Sequence, residues 1–114
     1  MKSPKIHEPL TKLQCCPTSD GAAAAILVSE EFVLKHGLEA HAIEISGIAL
    51  KTDFNSTFDG KSSIDLIGGD MAKAAAKEVY STTGINPSQV DVCELHDCFS
   101  ANELVTYEAL GFCE

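Results

Sequence analysis

A short stretch near the carboxyl end of the sequence concentrates side chains that can do chemistry. Residues 93–103 read CELHDCFSANE, with Cys93 and Cys98 on either side of His96. Thiolates and imidazole bind zinc, a cysteine near a helix start can act as a nucleophile, and a histidine can donate a hydrogen bond to an oxyanion. The residue types leave these chemistries open, together with a purely structural role as a helix start.

The spacing disfavours a metal site in this stretch. If the stretch is extended, Cys93 points to the opposite face from His96, and a closed tetrahedral site would still need ligands from elsewhere. The adjacent pair Cys15 and Cys16 lacks the two-residue gap of a zinc knuckle. The sequence therefore predicts no metal.

Cys98 and the residues after it favour structural roles. Cys98 lies just before a predicted helix, but nothing in the sequence identifies the histidine that would serve as its base, and buried cysteine is common. Ser100 and Glu103 form a Ser-x-x-Glu capping box in front of apolar residues. This pattern predicts a helix start at Ser100 and a structural role for Glu103.

His96 then lies in the turn between a predicted strand and the N-terminus of a helix. Ligands of α/β sheets gather at this edge, and the helix dipole favours negative charge there. A histidine that donates a hydrogen bond could stabilise an oxyanion or an enolate. Residue type alone favours the alternative, in which His96 only bonds a backbone carbonyl of the turn.

The elements that would position these residues alternate between strands and helices. After an irregular segment at residues 1–20, strands are predicted at 22–28, at 41–50 with a bulge at Gly47, and at 90–95. Helices are predicted at 30–36, from about 70 to 83, and at 101–110. This order predicts an α/β layered fold of about three strands and three helices.

Local signals mark the ends of the predicted helices. Ser29 is a good N-cap, and Gly37 supplies a left-handed terminator. Gly68 and Gly69 delay the regular part of the second helix, and Gly84 ends it.

Composition excludes several classes of protein. The 114 residues suit one modest domain, and a net charge of −9 lacks the basic stripe of a nucleic-acid binder, so an anionic ligand would have to be held locally. No apolar run approaches the roughly 20 residues of a membrane span. Five cysteines, an odd number, and no secretory or other targeting signal predict reduced thiols rather than a disulfide framework.

Two segments resemble the thiolases, and within them the sterol-carrier-protein-X type. PLTKLQCCPTSDGAAAAILVSEE, residues 9–31, is similar to the passage from the loop domain into the last strand of the N-terminal half. VDVCELHDCFSANELVTYEALGF, residues 90–112, is similar to the strand and loop with the His-Asp-Cys-Phe motif, where other thiolases have Asn-Glu-Ala-Phe. The resemblance implies a partial thiolase-like fold, in which residues 1–40 end the N-terminal half and residues 41–114 begin the C-terminal half.

The resemblance also implies a function. Thiolases of this type are peroxisomal enzymes that cleave 3-oxoacyl-CoA with free CoA during fatty acid, branched-chain and sterol side-chain oxidation. They tend to form homodimers, and coenzyme A is their substrate rather than a bound cofactor. His96 would line the oxyanion hole for the thioester oxygen of the departing enolate, and Asp97, Cys98 and Phe99 would complete the motif loop.

Other motifs of the family are predicted to be absent. Cys16 is followed by Pro17 and Thr18, so a Cys-x-Ser nucleophile is not expected. His36 does not lie in a Gly-His-Pro base motif, and Cys113 does not begin a Cys-x-Gly acid motif. We therefore expect these 114 residues to be inactive alone and poorly stable, as one part of a thiolase. The alternative is a non-catalytic product that binds acyl-CoA or a full-length thiolase subunit.

Overall fold

The first element of the fold is a small β hairpin that the sequence did not predict. In the computed structural model, which describes residues 3–114, strand β1 (Lys5–His7) pairs antiparallel with strand β2 (Leu10–Thr11). A short 3-10 helix, Lys12–Gln14, follows directly. The approach segment is therefore partly ordered.

Helix α1 (Glu30–His36) has the bounds that the sequence predicts. The Ser29 hydroxyl accepts a hydrogen bond from the Phe32 amide at 3.2 Å and so satisfies one free N–H of the first turn. Gly37 ends the helix with a φ of 62°, a left-handed conformation that glycine adopts without a Cβ penalty. Neighbouring residues fix both ends, and the prediction is confirmed.

The second predicted helix is interrupted near its start, as the glycine pair indicates. Helix α2 (Ser63–Leu66) is a single turn, and helix α3 (Gly69–Thr83) carries the regular part. Gly68 lies between them with a φ of 94°, and Gly84 ends α3 with a φ of 74°. The predicted end of this helix is confirmed.

Helix α4 (Ser100–Ala109) packs against α3 and supplies the main tertiary contact. Ala76 of α3 is 9% exposed and is the one hydrophobic residue of the described chain that is buried. A Cβ on Gly69 would lie 2.9 Å from Ile64 Cγ2 and 3.4 Å from Val105 Cγ1. Small residues thus let α2, α3 and α4 approach closely.

The three predicted strands are not formed. Residues 22–28, 41–50 and 90–95 form neither strand nor helix, and no backbone hydrogen bond pairs one segment with another. A strand needs a second segment to satisfy its N–H and C=O groups, and residues 3–114 offer these segments none. The chain is therefore a set of helices with one two-stranded sheet, and the prediction of three strands is not met.

Large apolar side chains of these segments face solvent. Ile26 is 92% exposed, Ile43 90% and Leu50 89%. The Cα radius of gyration is 18.3 Å, whereas a compact chain of this length has about 13 Å. The segments therefore lie outside any shared core. Within the part that the structure covers, no helix combines the length and the hydropathy needed to cross a membrane.

Gly47 brings residues 43–50 against the end of α3. A Cβ at this position would lie 2.6 Å from Thr83 Cγ2 and 3.4 Å from Val79 Cγ1. The predicted bulge is not formed because there is no ladder for it to interrupt. The glycine is instead required by the close approach of its backbone to the helix.

Removing the Tyr80 hydroxyl tests whether its hydrogen bond stabilises the C-terminal end of α4. Tyr80 donates a hydrogen bond to the Leu110 carbonyl at 2.8 Å, and such bonds contribute about 0.5–1.5 kcal/mol. We expect Tyr80→Phe to speed hydrogen exchange of the Leu110 and Gly111 amides by roughly two- to tenfold. Tyr107→Phe is the matched control, because it removes the same atom from a bond within α4. Equal acceleration in both variants would contradict the prediction.

Candidate functional site

His96 lies in the loop between the 3-10 helix Pro87–Gln89 and helix α4. Its side chain is exposed, and no hydrogen bond to its ring occurs among residues 3–114. We call residues 96–99 the His96 loop. Within it Asp97 and Phe99 are exposed, and Cys98 is half-buried. The imidazole is therefore free to donate a hydrogen bond to a ligand.

A backbone contact from the other end of the chain holds the His96 loop. The Cys16 amide donates to the Cys98 carbonyl at 2.9 Å, and Cys15 and Phe99 form an isolated antiparallel bridge. We call these two backbone contacts, together with the hydrogen bond from the Gln14 side chain to Ser100, the clamp. It fixes the backbone of the loop immediately after His96.

Gln14 extends the clamp with both ends of its amide. Its Oε1 accepts from the Thr11 amide at 2.8 Å, and its Nε2 donates to Ser100 Oγ at 3.2 Å. The first bond caps the 3-10 helix Lys12–Gln14. The second reaches the first residue of α4, so one side chain ties the start of this helix to the N-terminal segment.

The capping box predicted for α4 is not formed, although the helix begins at Ser100 as predicted. Phe99 occupies the N-cap position with extended φ and ψ of −150° and 143°, as its bridge to Cys15 requires. No side chain caps the helix. The Ser100 hydroxyl is engaged by Gln14 instead, and long-range partners have overridden the local pattern.

Glu103 has a different structural role from the predicted one. Its carboxylate accepts a short hydrogen bond from the Tyr107 hydroxyl, one turn further along α4. This bond raises the pKa of Tyr107, and some burial and the negative charges of Glu103, Asp97 and Cys93 add to the effect. Burial, followed by the charge of Cys93, also raises the pKa of Tyr80. The carboxylates of Glu103 and Asp97 thus lie near Tyr107, and an anion near His96 would have to be held by local donors.

The cysteines do not form a metal centre in the described part of the chain. No group of three His, Cys, Asp or Glu side chains comes together there in a way that could hold an ion, and this includes Cys93, His96 and Cys98. Two shallow cavities of about 350 Å³ lie beside α2 and α3, and no residue of the His96 loop lines either.

One detail of the sequence prediction was wrong. Cys98 is followed two places later by Ser100, so the Cys-x-Ser spacing does occur. The Ser100 hydroxyl accepts a hydrogen bond from Gln14, and the Cys98 carbonyl accepts one from Cys16. Both residues therefore take part in the clamp. Neither belongs to a Gly-His-Pro or Cys-x-Gly motif, which would supply a base or an acid.

Sequence reasoning missed Gln14, Cys16 and Tyr107. Tyr107 could have been found, because it lies four residues after Glu103 and such pairs meet on one helix face. The Gln14 amide lies 86 positions from its partner Ser100. No local pattern signals a contact of that range.

The arrangement can place one hydrogen-bond donor against a developing negative charge. The imidazole is exposed, and the backbone behind it is fixed by the clamp and by the start of α4. A preorganised donor of this kind stabilises an oxyanion that another group generates. No group of three side chains that could hold a metal ion accompanies it in the described residues.

Comparison with known proteins confirms the resemblance to thiolases that two segments of the sequence carry. Residues 56–114 match the family model described as thiolase C-terminal domain-like. The chain is 61% identical over 113 residues to sterol carrier protein 2 of Rattus norvegicus, covering 99% of this chain and 21% of that protein. The His96 loop lies inside the matched family region, and Gln14 and Cys16 lie outside it.

Two further relatives extend the comparison. Non-specific lipid-transfer protein-like 2 of Caenorhabditis elegans is 52% identical over 110 residues, which are 96% of this chain and 27% of the relative. Acetyl-CoA acetyltransferase of Methanocaldococcus jannaschii is 36% identical over 114 residues, which are 100% of this chain and 28% of the relative. The chain thus spans between about a fifth and a little over a quarter of the length of these proteins.

Replacing Gln14 tests whether it anchors the His96 loop. Gln14→Ala removes both amide bonds, and we expect the Cys16 amide to exchange with solvent roughly two- to tenfold faster. Gln89→Ala is the matched control, because Gln89 Oε1 accepts from the Asn86 amide at 2.8 Å in the same kind of 3-10 cap but does not reach α4. An unchanged Cys16 amide in Gln14→Ala would refute the anchoring role.

Proposed function

Because the chain belongs to the thiolases, with residues 56–114 forming a thiolase C-terminal domain-like region, we propose that it is part of a sterol-carrier-protein-X-type 3-oxoacyl-CoA thiolase. In this proposal the His96 loop contributes one wall of the oxyanion hole. The observation that carries the proposal is an exposed imidazole on a loop whose backbone is held directly after His96, by the Cys16 amide and by the start of α4. The residues of the loop also match the family's His-Asp-Cys-Phe motif in order.

The proposed chemistry divides between this segment and the rest of a thiolase chain. A cysteine supplied by another part of the thiolase attacks the keto carbon of the 3-oxoacyl-CoA, and the carbon–carbon bond breaks. The electron pair leaves as the enolate of acetyl-CoA, or of propanoyl-CoA for branched chains. His96 donates a hydrogen bond to the thioester oxygen of that enolate, which lowers the energy of the developing charge. The acyl group then passes to free CoA.

The same proposal specifies where these residues lie in a thiolase, together with the substrates, the oligomeric state and the compartment of the enzyme. Residues 1–40 end the N-terminal thiolase half, and residues 41–114 begin the C-terminal half. Coenzyme A and acyl-CoA are substrates, the complete enzyme is a homodimer, and its compartment is the peroxisome. The exposed apolar residues of segments 22–28 and 43–50 support this placement, because a larger fold would cover them.

The same exposed segments favour one alternative function. Ile26, Ile43 and Leu50 present apolar surface that a partner could bury. In this second candidate, the 114 residues act as a non-catalytic product that binds acyl-CoA or docks on a full-length thiolase subunit. In the first candidate function turnover depends on His96, whereas in the second there is no turnover.

Substitution of His96 tests the oxyanion role. In a complete thiolase polypeptide that includes these residues, we expect His96→Ala to lower kcat by about 100- to 1,000-fold, the usual effect of losing one oxyanion donor. His96→Asn retains a donor and should lose much less, as expected from the Asn-Glu-Ala-Phe motif of other thiolases. His41→Ala is the control, because His41 is also exposed but lies far along the sequence from the loop. Full kcat in His96→Ala would sink the proposal.

The isolated chain separates the two candidate functions. We expect no CoA-dependent cleavage of 3-oxoacyl-CoA by the 114 residues, because the base and acid motifs are absent. In an NMR titration with acyl-CoA, the chemical shifts of the His96 ring report binding, and those of the His41 ring serve as the internal reference. Selective shifts at His96 without turnover would favour the binding product, and turnover by the isolated chain would contradict both accounts.

A further inference from the structure

The clamp places two cysteines directly opposite each other. Cys15 and Phe99 form an antiparallel bridge, and the Cys16 amide donates to the Cys98 carbonyl at 2.9 Å. In antiparallel pairing, the residue that follows one member of a pair faces the residue that precedes the other. Cys16 and Cys98 are therefore cross-strand partners.

The geometry of such partners matches the geometry of a disulfide. Cys16 and Cys98 make one of the two bonds of a hydrogen-bonded antiparallel pair. Partners in such a pair have Cα atoms about 5.5 Å apart, and their side chains lie on the same face. Disulfides join residues whose Cα atoms are about 4.4–6.8 Å apart. Cys16 and Cys98 can thus be linked while the clamp keeps its backbone register.

The other cysteines are placed less well for this bond. Cys15 is next to Cys16 but belongs to the opposite face of the pair, and its thiol donates to the Thr11 carbonyl at 3.5 Å. Cys93 and Cys113 lie outside the clamp. All five cysteines are free thiols, with Cys16 exposed and Cys98 half-buried. An oxidant can therefore reach the pair.

We infer that Cys16 and Cys98 form a redox-reactive thiol pair that a hydroperoxide oxidises to a disulfide, which crosslinks the N-terminal segment to the His96 loop. This inference goes beyond thiolase chemistry and does not rest on the proposed function. Reduced thiols remain the resting state that composition predicts, and the disulfide is the oxidised form of the same site.

The oxidation proceeds in two balanced steps. The Cys16 thiolate attacks one oxygen of the hydroperoxide, the O–O bond breaks, and the leaving oxygen departs as water or an alcohol after it takes a proton. Cys16 is then a sulfenic acid. The Cys98 thiolate attacks the sulfenic sulfur, the S–S bond forms, and the hydroxyl leaves as water with a second proton. Two electrons pass from the two sulfurs to the peroxide, and an added dithiol returns them by exchange.

The link would act on the residue that we propose as functional. Cys98 lies two positions after His96, so the disulfide adds a covalent tie where the reduced chain has one backbone hydrogen bond. Oxidation should therefore change the environment of the His96 ring. The ring of His36, which stacks on Phe32 with centroids 4.2 Å apart in α1, should not respond.

Peroxide treatment of the 114-residue chain, followed by non-reducing mass spectrometry of the monomer, tests the pair. We expect a Cys16–Cys98 link roughly tenfold more abundant than any other intramolecular link, because the clamp raises the effective concentration of these two thiols. Since Cys15 and Cys16 fall in one peptide, variants must identify the partner. Cys15→Ser should keep the link, and Cys16→Ser and Cys98→Ser should lose it.

Two readouts keep the test decisive if a variant is poorly folded. In Cys98→Ser, a dimedone probe should trap the sulfenic acid on Cys16, and circular dichroism of each variant shows whether α1, α3 and α4 persist. In the wild type, NMR should show a shift of the His96 ring on oxidation and its reversal by dithiothreitol. A link retained in Cys16→Ser, links spread evenly among all cysteines, or only intermolecular disulfides would overturn the inference.

Discussion

The hydrogen bond from the Cys16 amide to the Cys98 carbonyl joins the two ends of the chain, and the position of His96 depends on it. Residues 91–97 make no backbone hydrogen bond within the described chain, so nothing before His96 holds the loop. The bridge of Cys15 to Phe99 and the Gln14 bond to Ser100 act together with this hydrogen bond. Because the same contacts set the N-cap of α4, the His96 loop and the last helix share one anchor.

The helices could be predicted from the sequence because their signals are local. Ser29 and Gly37 lie at the two ends of α1, and Gly84 ends α3, so each boundary is decided by a few neighbouring residues. The strands could not be predicted in the same way. An apolar run shows that a segment can pair, but pairing also needs a partner, and residues 3–114 supply none for the three predicted strands. The candidate site shows the same contrast. The exposure of His96 agrees with its place in a local motif, whereas its anchor is a contact between distant residues that no short pattern encodes.

The exposed apolar segments occur in a chain that matches only part of the length of its relatives. The chain shares 61% of its residues with a relative about five times as long, over nearly its whole length. Its apolar runs at 22–28 and 43–50 find no pairing partner within residues 3–114. Helices make their backbone hydrogen bonds within one segment, whereas strands need a second segment as a partner. The structure thus keeps α1, α3 and α4 while residues 22–28 and 43–50 stay unpaired.

The unpaired segments also bear on how a cell would handle the chain. A stretch with free N–H and C=O groups and apolar side chains such as Ile26, Leu27 and Ile43 is what chaperones bind and what proteases cleave. Two such stretches in one molecule also offer templates for pairing with other copies. The lifetime of the chain therefore depends on competition among degradation, aggregation and the pairing of these segments with another strand.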